Sequence, residues 1–293
     1  MQDKALVTII CLCYNQEAFV LESLESVIKQ EYKNIELIII DDCSTDNSKT
    51  TIEKWIVDHP EVQFITNKTN LGITKAFNKG LKLAKGTYII DLAADDVLLP
   101  NCVSLQVNTF KNSNYKNLGV VYGNAALITK KGLLDSYYFA VNKDKKVTQK
   151  RITGDIYTSV LAGGDSICSV SSMTKKSVYD VLDGYDENLA YEDLDFWIRA
   201  SRIYAFDFID EILIQKRIVS NSMATDFYKK KNKINHSTYV ILKKAIGLNR
   251  SKIENKTVLK RIHFEMILAY KNLDFVLLVK YIFLEIRIRI SIL

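Results

Sequence analysis

Carboxylates that fall in pairs offer two kinds of chemistry: oxygen ligation of a hard divalent cation, or removal of a proton. Three acidic clusters stand out in this chain. Asp95-Asp96 is a pair of hard-oxygen donors that suits magnesium or manganese, and such a cation would act as a Lewis acid toward a leaving diphosphate. Asp41-Asp42-Cys43-Ser44-Thr45-Asp46 sets two acids where they could accept hydrogen bonds from a ribose or a base. Glu192-Asp193-Leu194-Asp195-Phe196-Trp197-Ile198-Arg199 sets acids at the start of a helical pattern, where one could serve as a general base. Each cluster also has an ordinary reading. Acids cap helices, Asp46 or Asn47 in particular, and acids in a first turn complement the helix dipole.

The elements that must position these groups alternate along the chain. Leu6 to Cys13 is a continuous apolar run, as expected for a strand covered on both faces. Ala18 to Gln30 carries apolar residues at helical spacing, and Ile35 to Ile40 is a second buried strand. Asp46 to Asp58 reads as a helix, Val62 to Thr66 as a strand, Thr74 to Ala84 as a helix ended by Gly86, and Tyr88 to Leu92 as the fourth strand. This order predicts an α/β fold with a doubly wound, mostly parallel sheet. Ligands bind such sheets beyond the C-terminal strand ends, where Tyr14-Asn15, Asp41-Asp42, Asn70-Leu71-Gly72 and Asp95-Asp96 all fall. After the first strand stands Cys-Tyr-Asn-Gln rather than a glycine-rich fingerprint, which excludes a dinucleotide dehydrogenase of the usual kind. Val120 to Thr129 and Ser169 to Thr174 read as further strands and Asp193 to Tyr204 as a helix.

Composition bounds the rest. The 293 residues allow one large domain or one domain with a helical appendage, and 48% hydrophobic with 25% charged residues is an ordinary globular balance. Five cysteines without paired spacing argue against a disulfide framework and fit a reducing cytosol. The apolar start lacks the pattern of a secretory leader. The net charge of +6 is uneven: residues 225–293 hold 15 Lys/Arg against five Asp/Glu, a net of +10. A basic tail points to an anionic surface, a membrane or a nucleic acid, or else to solvated helix faces. Its aromatics, Phe275, Tyr281 and Phe283, sit at helical spacing, which speaks for packing and against base stacking. The segment Leu273 to Leu293 is apolar but interrupted by charges, so it is too short to span a bilayer and suited to lie along one.

Taken in order, these pieces resemble glycosyltransferase family 2 with its GT-A fold, over about residues 5–222. The resemblance is carried by Val7-Thr8-Ile9-Ile10-Cys11-Leu12-Cys13-Tyr14-Asn15, Ile38-Ile39-Ile40-Asp41-Asp42 through Asp46, Asn70-Leu71-Gly72 with Asn78 and Gly80, Gly86-Thr87-Tyr88-Ile89 with Ala94-Asp95-Asp96, Asp183-Gly184-Tyr185-Asp186-Glu187, and Tyr191-Glu192-Asp193 with Trp197 and Arg199. It implies an inverting transfer of a sugar from a nucleotide-sugar, UDP-linked in the first instance, to an acceptor hydroxyl. Tyr14 would flank the nucleobase, with Glu17 in the same pocket. Asp42 would contact base or ribose, and Lys75 or Lys79 would answer for an arginine that often precedes Asn78 and is here Phe77. Asp95 and Asp96 would hold ribose and a diphosphate-bound Mn2+ or Mg2+. Asp193 would be the catalytic base, with Glu192 beside it.

Three departures qualify the pattern. The metal motif usually opens with an acid where this chain has Ala93, and Asp91 should face away or sit within the strand. Phe77 is the second. Val219 replaces a common histidine in Lys216-Arg217-Ile218-Val219-Ser220-Asn221-Ser222, leaving Lys216 or Arg217 to replace it. The sequence therefore predicts a GT-A catalytic domain over 1–224 and a basic helical extension over 225–293. The expected partners are a nucleotide-sugar and a glycan or lipid-linked acceptor, with no nucleic acid. The expected setting is cytoplasmic, on or near the inner face of the plasma membrane. Acceptor choice is assigned to loops such as Asp135 to Arg151, and a homodimer is compatible with the sequence. The alternative reading is a degenerate nucleotide-sugar binder, suggested by Ala93 and Val219.

Overall fold

A computed structural model of the chain describes residues 5–163, 167–219, 229 and 232–292. The domain boundary expected at 224/225 and the residues Ser220, Asn221 and Ser222 lie outside the described residues. The first half is built as the alternation predicts: β1 (Val7–Cys13), α1 (Val20–Ile28), β2 (Ile35–Asp41), α2 (Ser48–Trp55), β3 (Gln63–Thr66), α3 (Ile73–Leu81) and β4 (Tyr88–Ala93). The order β3-β2-β1-β4 is parallel throughout, with Cys13 opposite Asp41 and Leu12 opposite Ala93. That register brings the polar ends of three strands to one edge. Beyond β4 the sheet becomes mixed. β5 (Val97–Leu98), β6 (Leu118–Ile128), β7 (Leu134–Tyr137), β8 (Met173–Lys175) and β9 (Ala205–Arg217) complete it in the order β4-β8-β6-β9-β5, with β7 on β6. Of these pairings only β6–β9 is parallel. The connecting helices are α4 (Cys102–Asn112), α5 (Tyr157–Ala162), α6 (Lys176–Leu182) and α7 (Asp193–Ser201).

Two expectations about local structure are corrected. Gly86 does not end a helix: α3 stops at Leu81, and Gly86 lies against β1, where an added Cβ would stand 2.5 Å from the Thr8 backbone nitrogen. Nor is Ser169 to Thr174 one strand. Ser169–Ser171 is a single 3-10 turn, because the Ser171 hydroxyl donates to the carbonyls of Cys168 and Gly123 and the Ser172 hydroxyl to that of Ser169.

The turn before α7 is held from two sides. The Asn78 side chain on α3 donates to the Tyr185 carbonyl at 2.8 Å and to Glu187 at 3.1 Å, and accepts from the Tyr185 amide at 3.0 Å. Arg199, on α7, donates to the carbonyls of Leu182 and Gly184 and to the buried Asp195 carboxylate. Gly184 adopts φ +67°, and a side chain there would meet Asn78 at 2.5 Å. Phe77, at the position where the family often has arginine, is fully buried against Tyr179 and Tyr185, so it packs the same turn.

Helices α8 (Lys233–Leu248), α9 (Lys252–Lys271) and α10 (Phe275–Ile292) form the extension. Ser251 and Glu254 cap α9 reciprocally. Ile234, Ile241 and Ala245 of α8 join the core of the sheet, whereas Leu242, Val258, Ile262, Leu277, Tyr281, Leu284 and Ile288 form a second apolar cluster among the three helices. Leu277 therefore faces inward and Leu278 is half-buried, so these two apolar residues of the segment are taken up by packing within the chain. The extension is fastened to the body by Tyr191–Thr238, Tyr157–Asn249 and Arg202–Glu254 contacts of 2.8–2.9 Å. No helix among the described residues is long and apolar enough to cross a membrane.

All five cysteines are free, and only Cys43 is not buried. Burial pushes the Cys13 and Cys168 thiols up to about 12 and raises those of Cys11 and Cys102 further still.

Replacing Asn78 with alanine leaves the Tyr185 amide and carbonyl unpaired in the interior. An unpaired buried polar group costs about 1–3 kcal/mol, so Asn78→Ala should lower unfolding free energy by about 2–4 kcal/mol, read as a lower urea midpoint at constant slope. An unchanged midpoint would mean that Arg199 alone holds the turn.

Candidate active site

The loops after β1, β2 and β3 are stitched together. Asn15, at φ 55°, accepts from the amide and hydroxyl of Thr45, while its own amide donates to Ser44. The Glu17 amide donates to Asp46, and the Glu17 carboxylate accepts from both the backbone and side-chain nitrogens of Asn47. Asp46 in turn accepts from the Ser48 amide and hydroxyl at the start of α2. Asp42 is buried, and its oxygens accept from the Asn67 side chain and from the amides of Leu71 and Gly72 at 2.8–3.1 Å. These bonds give Asp42 a structural task, holding the Asn70-Leu71-Gly72 turn. Tyr14 is 45% exposed above this network, its ring available to a flat ligand. Lys75 is exposed on the first turn of α3, while Lys79 donates to Asn67.

A second group lies where β4 ends. Asp96 is buried and accepts from the Arg217 amide at 2.9 Å. Its carboxyl is pushed up to about 7, by burial first and by the adjacent Asp95 charge second; burial raises Asp95 as well. Arg217 is consumed by structure. Its guanidinium donates to the Asp95, Thr129 and Lys130 carbonyls and to Glu22, and lies over the Phe19 ring. The Arg217 charge lowers Asp95 and Asp96, whereas that of Lys216, one residue earlier on β9, lowers Asp95, Asp96, Glu192 and Asp193 alike. Of the two residues considered as replacements for the missing histidine, only Lys216 is so placed.

Glu192 and Asp193 open α7. Asp193 accepts from the Leu194 amide at 2.6 Å and from the Ser169 hydroxyl at 3.2 Å. Ser169 in turn accepts from the Trp197 indole at 2.9 Å, one helical turn below Asp193. Glu192 has a buried oxygen, Oε2, with no hydrogen-bond partner among the described residues. Burial raises both carboxyls, and each neighbour's charge raises Glu192 further. Donors stabilise the anion on Asp193 and none relieves Glu192 Oε2, so the pair holds its charge on Asp193 and its proton on Glu192.

Two residues take part in this cleft that the sequence reading did not place there. Asp91 sits within β4, as expected, but it does not turn away: its carboxylate accepts from the Tyr185 hydroxyl at 3.1 Å, and its charge raises Glu192. Arg261 of α9 reaches a cavity of about 210 Å³ beside Asp193, walled by Tyr138, Val160, Leu194 and Trp197. Alternation along β4 signals the first, since Asp91 and Ala93 share a face. Nothing in the sequence signals the second, because α9 is some 70 residues downstream of Asp193.

The Asp95-Asp96 pair accommodates a hard divalent cation on chemical grounds. Magnesium is commonly held by one or two carboxylates plus substrate phosphates, and two desolvated acids with raised pKa values need a positive charge. Among the described residues no three His, Cys, Asp or Glu side chains are placed to hold one metal ion together, so ligand oxygens would complete the shell.

Fold and cleft together define the GT-A class: a mostly parallel sheet whose strand ends carry a polar loop network and the Asp95-Asp96 pair, with Glu192-Asp193 at the start of α7. Residues 8–164 match glycosyl transferase family 2, and the chain belongs to that family. An uncharacterized glycosyltransferase of Rickettsia bellii is 31% identical over 225 residues, 75% of this chain, and this chain spans 31% of that protein's length. Among solved structures, Staphylococcus aureus TarS 1–349 in complex with UDP-GlcNAc superposes with a TM-score of 0.66 at 17% identity, covering 87% of this chain and 71% of TarS. The mannosyltransferase PcManGT of Pyrobaculum calidifontis, in complex with GDP-Man and Mn2+, gives 0.62 at 15% identity over 96% of this chain and 74% of its own. At these identities the likeness is one of fold.

The Asp91 carboxyl is pushed up to about 7 by burial, against about 3.9 in an unfolded chain. Between those values the folded state binds the extra proton, so this group makes stability fall as pH rises from about 4 to about 7. Asp91→Asn keeps an acceptor for Tyr185 and removes the titration. Its melting temperature should drop less than wild type's across that window in a series of thermal scans; parallel curves would refute the assignment.

Proposed function

We propose that this glycosyltransferase is an inverting enzyme that moves a hexose or N-acetylhexosamine from a UDP-linked donor to an acceptor hydroxyl. The proposed acceptor is a glycan or lipid-linked intermediate of bacterial surface polysaccharide or lipopolysaccharide, handled in the cytoplasm. The observation that carries this reading is the Asp193 carboxylate, aimed by Ser169 and Trp197 at the edge of a sugar-sized cavity and sharing Lys216 with Asp95-Asp96.

In one displacement the acceptor hydroxyl gives its proton to Asp193 as its oxygen bonds to the anomeric carbon. The bond from that carbon to the diphosphate breaks on the opposite side, and its electron pair leaves with UDP. A raised pKa brings Asp193 nearer the working pH and so improves it as a base. Glu192, protonated beside it, adds no competing charge. Tyr14 stacks on the uracil, Glu17 fixes the loop beneath it, and Lys216 and Lys75 are the cations offered to the diphosphate. A divalent cation, manganese or magnesium, held by Asp95 and Asp96, supplies Lewis-acid neutralisation of that diphosphate when bound. Ala93 favours a second reading, a nucleotide-sugar binder without turnover; release of UDP by the wild-type protein decides between the two.

Asp193→Asn should lower turnover by roughly 10²–10⁴ while leaving UDP affinity near wild type. Normal turnover would move the role elsewhere. Glu192→Gln, which mimics the protonated acid, should retain most activity.

UDP affinity measured by calorimetry should fall on adding EDTA and fall similarly in Asp95→Asn, with no further loss when the two are combined. Equal affinity in all four conditions would remove the cation from the proposal.

A further inference from the structure

The outward face of α10 combines exposed apolar side chains with exposed cations. Its exposed residues are Phe275, Val276, Val279, Lys280, Ile282, Phe283, Ile286, Arg287, Arg289 and Ile290: seven large apolar side chains, three cations and no acid. Phe283 is 67% and Ile290 68% exposed. The opposite face, Leu277, Tyr281, Leu284 and Ile288, is sealed in the helical cluster, so the helix cannot roll to hide the first set. The helix has one acid, Glu285, and it is turned aside to pair with Arg289 and His263. That His263 contact sets one edge of α9 against α10, and the exposed Ile267 and Tyr270 follow His263 on the same edge at one and two turns. The apolar strip thus widens across both helices and runs the length of α10, which at 18 residues is about 27 Å.

Contiguous apolar surface on this scale marks a binding face. Charge decides the occupant. Two copies meeting through this face would bring Lys280 and Arg287 against the same cations, with no exposed acid on α10 to answer them. An anionic bilayer answers them directly, and it receives an apolar strip without demanding a shape match. We infer that the outward face of α10, extended by Ile267 and Tyr270, docks this protein on an anionic lipid surface. The helix lies in the plane of the interface: Val276, Val279, Phe283, Ile286 and Ile290 enter the acyl boundary, and Lys280 and Arg287 lie at the headgroups. The inference does not depend on the proposed donor or base.

The test uses the full chain and flotation with vesicles of phosphatidylcholine, with or without phosphatidylglycerol. Wild type should float with the anionic vesicles and retain part of its binding at high salt, because the apolar contribution is not screened. Phe283→Glu/Ile286→Glu should abolish flotation in every condition. Lys280→Gln/Arg287→Gln should weaken binding by roughly 30-fold at low salt, about fivefold for each cation, and make the remainder less sensitive to salt. Val57→Glu, an equally exposed apolar position on the body, should change nothing. All four substituted residues of the test variants are exposed, and unchanged melting temperatures and UDP binding would establish that their effects are local. The inference is overturned if wild type does not float with anionic vesicles, or if Phe283→Glu/Ile286→Glu floats as wild type does. It is equally overturned if sedimentation without lipid shows a dimer that the same variant dissociates, since a second copy would then own the face.

Discussion

Mutual repulsion among carboxyl groups is the constraint to which this cleft is built. Asp91, Asp95, Asp96, Glu192 and Asp193 come from β4 and its end and from one helix start, all partly or wholly removed from water, with Lys216 acting on the last four. Five such charges cannot coexist in a low-dielectric space, so protons or a bound cation must relieve them. The arrangement sorts them by environment. Asp193 keeps hydrogen-bond donors and therefore its charge, while Glu192 keeps an unpartnered oxygen and therefore its proton. The same division of two adjacent acids into a charged and a neutral member is what acid–base chemistry requires.

Holding like charges together demands a stiff frame, and the frame is made largely of side chains bonded to backbone. Asp42 grips the turn after β3, Asn78 and Arg199 grip the turn before α7, and Arg217 grips three carbonyls around Asp95. Each of these polar groups resembles a ligand contact when read from sequence, because a polar residue beside a strand end looks the same whether it serves a substrate or a loop. Their occupancy is visible only when the partner amides are in place.

This explains which parts of the molecule were legible in advance. The parallel half, β3-β2-β1-β4, follows from local signals: apolar runs such as Val7–Cys13 and helical spacing such as Val20–Ile28. The Asp95-Asp96 and Glu192-Asp193 pairs stand out in the sequence because they flank such elements, one after β4 and one at the start of α7. The mixed half was not legible, since β6, β8 and β9 pair over separations of 50 residues and more that no local pattern encodes. Arg261 escaped for the same reason. The inward turn of Leu277 escaped because Leu273 to Leu293 is apolar on nearly every side, so periodicity gives no preferred face until α8 and α9 are packed against it.

The thiols add something of practical value. Cys11 and Cys13 lie within β1, Cys102 opens α4 and Cys168 precedes the turn that carries Ser169, and all four are buried and protonated. A thiolate is the species that alkylating reagents consume, so each of these sulfurs stays silent until its own surroundings open. Cys43, at the rim of the loop network, is the most accessible of the five and serves as the reference. The native chain thus carries four timers, one pair in the central strand, one in a helix and one beside the turn that carries Ser169. Their labelling rates would rank local opening across the sheet without a single introduced reporter.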